Sequence, residues 1–231
     1  TVLWLVAITN AVNLVDGLDG LAAGIAAISA LCIGYVAYIH GHYIPTVAMM
    51  VIAGAALGFL PYNSHPAKIF MGDGGSQLLG FSIAAFSIMG AVKTTTMVVV
   101  VIPALVLGLP IFDTVFAIVR RVIRRQPIGR GDKEHLHHRI LRAGYGQRRA
   151  VMIMYCISGL LGVMAVLYSR GLMVECVGLL LIAAILLYVL LGSDTAQQLH
   201  CAEKDRSGGQ DKEINRTENE RDGSEKSADI E

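Results

Sequence analysis

The stretch Tyr62–Gly80 reads YNSHPAKIFMGDGGSQLLG, and it lies between two long apolar runs. Asn63, His65, Lys68 and Asp73 fall inside it, and Gly72, Gly74 and Gly75 surround the one carboxylate. Glycines on both sides let the backbone come close to a ligand. An acid in such a bend at a membrane boundary suits a cation that also touches phosphate oxygens. The alternative is a polar turn that joins two hydrophobic helices.

The runs on either side decide the fold class. Of the 231 residues, 54% are hydrophobic and mean hydropathy is +0.58. Apolar segments recur at lengths near the roughly 20 residues that cross a bilayer. The pattern predicts an all-α polytopic membrane protein with about seven spans, over 1–13, 21–39, 43–60, 77–92, 96–119, 151–169 and 172–191. Pro103 and Pro110 break or kink the fifth, which ends in PIFDT with Asp113 and Thr114 near its mouth. Cys32, Cys156, Cys176 and Cys201 have neither metal nor disulfide spacing and read as packing residues.

Charge orients the spans. Residues 1–200 hold 13 Lys/Arg, and ten of these fall in 120–149. Lys68 is on the same set of connections, whereas Lys93 and Arg170 are on the other. Short basic loops remain cytoplasmic, so 14–20, 61–76, 120–150 and the tail are expected inside. A multi-span catalytic domain is expected over 1–192. Residues 193–231 are expected to be a disordered, charged cytoplasmic tail, because 203–231 carry 16 charges and only two large aliphatic residues.

Two further motifs lie on that inner face. In NAVNLVDGLDGLAAG, Asn10, Asn13, Asp16 and Asp19 recur every three residues and trace one drifting helical stripe. Two carboxylates and two amides at a membrane end are costly unless water, cation or ligand satisfies them. The competing reading takes both Asp-Gly pairs as turn punctuation. In DKEHLHHR, His135, His137 and His138 stand beside Arg139. No cysteine or carboxylate completes a metal set there, and imidazoles among arginines suit a phosphate-rich ligand better.

In this order, NAVNLVDGLDGLAAG, NSHPAKIFMGDGGSQLLGF, PIFDT and DKEHLHHRIL resemble the polyprenyl-phosphate N-acetylhexosamine-1-phosphate transferases, covering residues 10–141. The resemblance implies a bundle of about ten or eleven membrane helices in a bacterial plasma membrane, with the active site at the cytoplasmic face. It implies Mg²⁺ dependence, with Mn²⁺ as a substitute. The implied reaction moves N-acetylglucosamine 1-phosphate from UDP-GlcNAc to undecaprenyl phosphate and releases UMP. DKEHLHHR is closer to the branch that uses UDP-N-acetylglucosamine, and transfer of phospho-MurNAc-pentapeptide is the alternative.

By position, Asp73, Asp16 and Asp19 match the family's catalytic carboxylates, with Asp73 and Asn13 at the metal. Asn63, Lys68, His135, His137, His138 and Arg139 match substrate-binding positions. The expected partners are a UDP-N-acetylhexosamine, undecaprenyl phosphate, the bilayer and a second copy of the chain, with nucleic acid excluded. The family's adjacent Asp-Asp pair is missing, and Thr1 opens inside an apolar run. The expectation is therefore a C-terminal fragment that lacks about four spans and is inactive alone.

Two other classes remain for comparison. A CDP-alcohol phosphotransferase would place an Arg soon after Asp16-Gly17, where this chain has Asp19-Gly20-Leu21-Ala22. A transporter would spread Asp16, Asp19, Asp73 and Asp113 through mid-membrane depth, whereas these acids cluster toward one face.

Overall fold

The structure is a computed structural model that describes residues 1–89, 96–123, 140–141, 144–172, 175 and 178. The chain divides into two units, Thr1–Ala183 and Ala184–Glu231, and every described residue belongs to the first. His135, His137, His138, Arg139 and the tail lie outside the described residues.

Among the described residues every regular element is a helix. In chain order these are α1 (Val2–Val15), α2 (Leu21–Ile39), α3 (Tyr43–Asn63), α4 (Gly72–Met89), α5 (Thr96–Val106), α6 (Gly108–Ile123) and α7 (Gln147–Ser169). Among the described residues α2, α3 and α7 are long and apolar enough to cross a membrane, while Val2–Val15 and Gly108–Val119 are shorter apolar helices. The expected span 172–191 lies almost wholly outside the described residues.

α2 is the central helix. Its sequence LAAGIAAISALCIGYVAYI has no charge, and its buried residues point in all directions, as expected of a helix surrounded by others. It packs against α3, α7, α4 and α1, and its run of Ala and Gly lets those backbones approach closely. α3, in contrast, leaves Ile44, Val47, Val51 and Leu57 exposed. Such an apolar outer face is the arrangement expected where the surrounding solvent is lipid.

Two hydrophobic clusters fill the bundle. One gathers Ile8, Val12, Ile33, Met49, Ile83, Ile102 and Leu107 from five helices and the turn after α5. The second, Val15, Leu21, Ile25, Leu109, Val151 and Met154, lies where α1 ends and α2 and α7 begin. That second cluster forms the floor beneath the polar residues described below.

Three local features depart from the sequence expectation or refine it. The run 96–119 is two helices, because Pro110 has no N–H for the Val106 carbonyl and its ring crowds that carbonyl. Leu107 sits at the break and donates its N–H to the Pro103 carbonyl at 2.9 Å. The loop expected over 61–76 shrinks to 64–71, since α3 continues through Pro61 to Asn63 and α4 starts at Gly72. Asp73 thus stands in the first turn of a helix, where the macrodipole favours a negative charge and offsets the weak helix propensity of its glycines.

The opposite ends of α2 and α7 close in the same way. His42 N–H reaches the Ala37 carbonyl and Gly41 N–H the Tyr38 carbonyl, with Gly41 at φ +74°. Leu172 and Gly171 repeat this pattern on Leu167 and Tyr168. Both are Schellman caps, which stop a helix by satisfying its last carbonyls. Arg170 lies over the Tyr35 ring and hydrogen-bonds its hydroxyl, which ties these ends together.

Candidate active site

The polar residues singled out by sequence meet where α1 ends, α3 ends and α4 begins. Asn13, in the last turn of α1, donates through Nδ2 to Asp73 Oδ1 at 3.2 Å and to Ser76 Oγ at 2.8 Å. Ser76 is buried and donates its own hydroxyl to the Gly72 carbonyl at 3.1 Å. Asn13 therefore fixes the start of α4 to the end of α1. Asn10, on the same stripe, does not join, because its Nδ2 folds back on the Val6 carbonyl at 2.8 Å.

Asp16 caps the C-terminal end of α1 and is half-buried. Burial raises its pKa above the usual carboxylate value, and the charge of Asp73 raises it further. Two carboxylates close enough to repel each other, next to an amide, form a hard-oxygen donor set. Such a set fits Mg²⁺, which keeps several waters and takes substrate phosphates in addition to one or two carboxylates. Among the described residues no group of three or more His, Cys, Asp or Glu forms a closed metal cage. Asp16 and Asp73 would hold the ion, with Asn13 orienting Asp73.

Asp19 is placed differently. Its Oδ2 accepts from His65 Nδ1 at 2.9 Å and from the Ala67 N–H at 3.2 Å. The His65 contact is the main reason its carboxyl lies below the usual range, with Ala67 and Gln147 contributing. Asp19 thus ties the turn 16–20 to the loop 64–71. Asn63 performs the same task from beneath, at 3% exposure. Its Oδ1 accepts the Gly20 N–H at 3.1 Å, and its Nδ2 donates to the Ile69 carbonyl at 3.0 Å.

Lys68 lies in the same loop and is exposed, and its N–H is bound to the Tyr62 carbonyl at 2.8 Å. Phe70 is 75% exposed beside it, a flat apolar surface at the mouth of a polar cleft. Asp113 is buried on α6.

Three residues of this region carried no sequence signal of their own. Arg148 donates Nε to the His65 carbonyl at 3.2 Å, Tyr155 donates its hydroxyl to the Gly20 carbonyl at 2.6 Å, and Ser76 receives Asn13. The clue to Tyr155 was Gly24. A glycine inside a helix costs about 1 kcal/mol relative to alanine, so it marks close packing. A Cβ there would lie 2.1 Å from the Tyr155 ring.

Residues 1–91 match the model of glycosyl transferase family 4. A probable undecaprenyl-phosphate N-acetylglucosaminyl 1-phosphate transferase of Bacillus subtilis is 43% identical over 171 residues, 74% of this chain and 48% of that protein. A decaprenyl-phosphate N-acetylglucosaminephosphotransferase of Mycolicibacterium smegmatis is 39% identical over 84% of this chain and 54% of its own. A phospho-N-acetylmuramoyl-pentapeptide-transferase of Moorella thermoacetica is 39% identical over 68% of this chain and 47% of its own. The chain spans about half the length of these relatives. Over residues 1–91 the chain is similar to glycosyl transferase family 4.

Proposed function

We propose that the protein of which this chain is part transfers N-acetylglucosamine 1-phosphate from UDP-GlcNAc to undecaprenyl phosphate and releases UMP. The observation that carries this reading is the meeting of Asn13, Asp16 and Asp73 at one helix junction, in a chain 43% identical to a relative named for that reaction. Both reactants are phosphate anions, and a bound divalent cation supplies the charge neutralisation that their approach requires. The chain's own residues supply the rest. Asp16 and Asp73 hold the cation, Asn13 keeps Asp73 aimed, and the α4 N-terminus adds positive potential where phosphate charge accumulates. Lys68 and the His135, His137, His138 and Arg139 cluster bind the nucleotide-sugar.

The site residues lie at the ends of α1 and α3 and the starts of α2 and α4, away from the caps at Gly41 and Gly171. We place this end, with 14–20, 61–76, 120–150 and the tail, in the cytoplasm of a bacterial plasma membrane. Residues 1–192 then form the catalytic membrane domain and 193–231 an unfolded tail. A second copy of the chain is the proposed oligomeric partner.

The test is donor competition in membranes that contain the full-length protein. With undecaprenyl phosphate and Mg²⁺ present, UMP release from UDP-GlcNAc should exceed release from UDP-MurNAc-pentapeptide by at least about tenfold, since one well-used polar contact discriminates by that much. Equal turnover would sink the choice of sugar. No release from either donor would sink the reaction.

A further inference from the structure

Helix α7 contacts both loops of the site, and it does so through side chains that no site motif includes. Gln147, in its first turn, is close enough to the Asp19 carboxylate to help hold its pKa down. Arg148 binds the His65 carbonyl, and Tyr155 binds the Gly20 carbonyl. Residues 148 and 155 are seven apart, two helical turns, so they share one face.

Gly20 is the residue on which these contacts converge. It follows Asp19 directly and adopts φ +82°, the left-handed region that a side chain would strain. Both of its main-chain polar groups are held by side chains from elsewhere. Its N–H goes to Asn63 Oδ1, and its carbonyl accepts the Tyr155 hydroxyl as well as the Gly24 N–H at 2.9 Å. The Tyr155 ring lies against Gly24 in the gap that a Cβ would fill, so the ring cannot drift along α2. If packing were its whole task, phenylalanine would serve; the 2.6 Å hydroxyl contact is what distinguishes tyrosine here.

We infer that Tyr155 is a positioning residue, whose hydroxyl holds the Asp16–Gly20 turn in the place where Asp16 faces Asp73. The inference rests on the transferase reading for its catalytic consequence, but the holding of the turn stands on geometry alone. α7 follows directly on the basic loop, so the same helix that carries this hydroxyl also connects to the residues proposed to bind the donor.

The experiment uses the full-length protein in membranes, with its native cysteines replaced by serine and Leu18→Cys added within the turn. A water-soluble maleimide then reports how often the turn opens. Tyr155→Phe should speed labelling at 18 by about tenfold, the scale of one lost hydrogen bond, and leave labelling of a His42→Cys control unchanged. Turnover of UDP-GlcNAc should fall by about tenfold in kcat with KM moved less than about twofold, the signature of lost positioning rather than lost binding. Gly24→Ala, which pushes the same ring away, should act in the same direction. Unchanged labelling at 18, or equal acceleration at 18 and 42, would overturn the inference, as would faster labelling with unchanged turnover. If the unmodified protein released no UMP, the transferase reading would fall, and the labelling comparison would still decide whether Tyr155 holds the turn.

Discussion

Asn13 and Asp73 stand 60 residues apart in the chain, yet the Asn13 amide donates to the Asp73 carboxylate at 3.2 Å. The same amide nitrogen donates to Ser76 at 2.8 Å, so one side chain sets both the position of α4 and the direction of its acid. Among the described residues the Asp73 side chain accepts from Asn13 through Oδ1 and is exposed, whereas Asp19 accepts from His65 and Ala67. The two acids therefore have different tasks. Asp19 holds the loop through His65 and Ala67, and the proposed reaction assigns the ligand to Asp73.

Asp73→Asn in the full-length protein should remove most activity while the fold survives. The replacement is nearly isosteric and keeps an oxygen for the Asn13 amide to bind. Loss of one charged metal ligand costs several kcal/mol of transition-state stabilisation, roughly 10³-fold or more in rate. Turnover against Mg²⁺ concentration, at matched membrane levels, is the measurement. Near-normal turnover with an unchanged Mg²⁺ curve would remove Asp73 from the mechanism.

Asn63→Ala should act on stability first. The side chain is buried and serves both the Gly20 N–H and the Ile69 carbonyl. Truncation leaves the buried Gly20 N–H unpaired, at about 1–3 kcal/mol, and removes the partner of the part-buried Ile69 carbonyl. Asn63→Asp keeps the acceptor for Gly20 but loses the donor to Ile69, so its thermal midpoint in detergent should fall between wild type and Asn63→Ala. An alanine variant as stable as wild type would contradict the buried clamp.

The motifs that were legible in sequence are those whose chemistry is written in side chains. Asn13, Asp16, Asp73 and Asn63 stand out as polar residues in an apolar chain; Asn13 binds Asp73, Asp16 feels the Asp73 charge, and Asn63 holds the turn at Gly20. Helix boundaries near them were less legible. GDGG reads as a bend by propensity, and only its position ahead of an apolar run, with an acid for the dipole, makes it the first turn of α4. Asn10 shows the opposite error, since spacing alone placed it on the stripe while its amide prefers its own helix. Tyr155 and Arg148 were invisible for another reason. Each binds a main-chain carbonyl, and a carbonyl 135 or 83 residues away has no sequence signature.

Topology makes the next test. Single cysteines at 65 and 130, in an otherwise cysteine-free full-length protein, should be shielded from a membrane-impermeant maleimide in intact cells. A cysteine at 42 should react from outside, because the positive connections belong to the cytoplasmic set. External labelling at 65 would place the site on the wrong face for a nucleotide-sugar and overturn the proposed reaction.

Asp16→Asn should stabilise the fold at neutral pH and still impair the enzyme. The Asp16 pKa is raised in the folded state by burial and by the Asp73 charge, so its ionised form is less favourable folded than unfolded. The folded protein therefore binds more protons than the unfolded chain between the ordinary value of 3.8 and the raised one. Stability falls as pH rises through that window, and the full penalty is present at neutral pH. Asparagine removes the charge and the penalty together. The thermal midpoint of Asp16→Asn should exceed that of wild type at pH 7, and the gap should shrink as pH falls through the raised pKa toward the ordinary value of 3.8, as Asp16 takes up its proton. Activity should fall by roughly 10²-fold or more, because the lost charge is one of two that hold the cation. Addition of Mg²⁺ should raise the midpoint of wild type more than that of the variant, since a cation between the carboxylates relieves the same repulsion. A variant no more stable than wild type at pH 7, or a gap that persists at low pH, would show that Asp16 carries no strained charge.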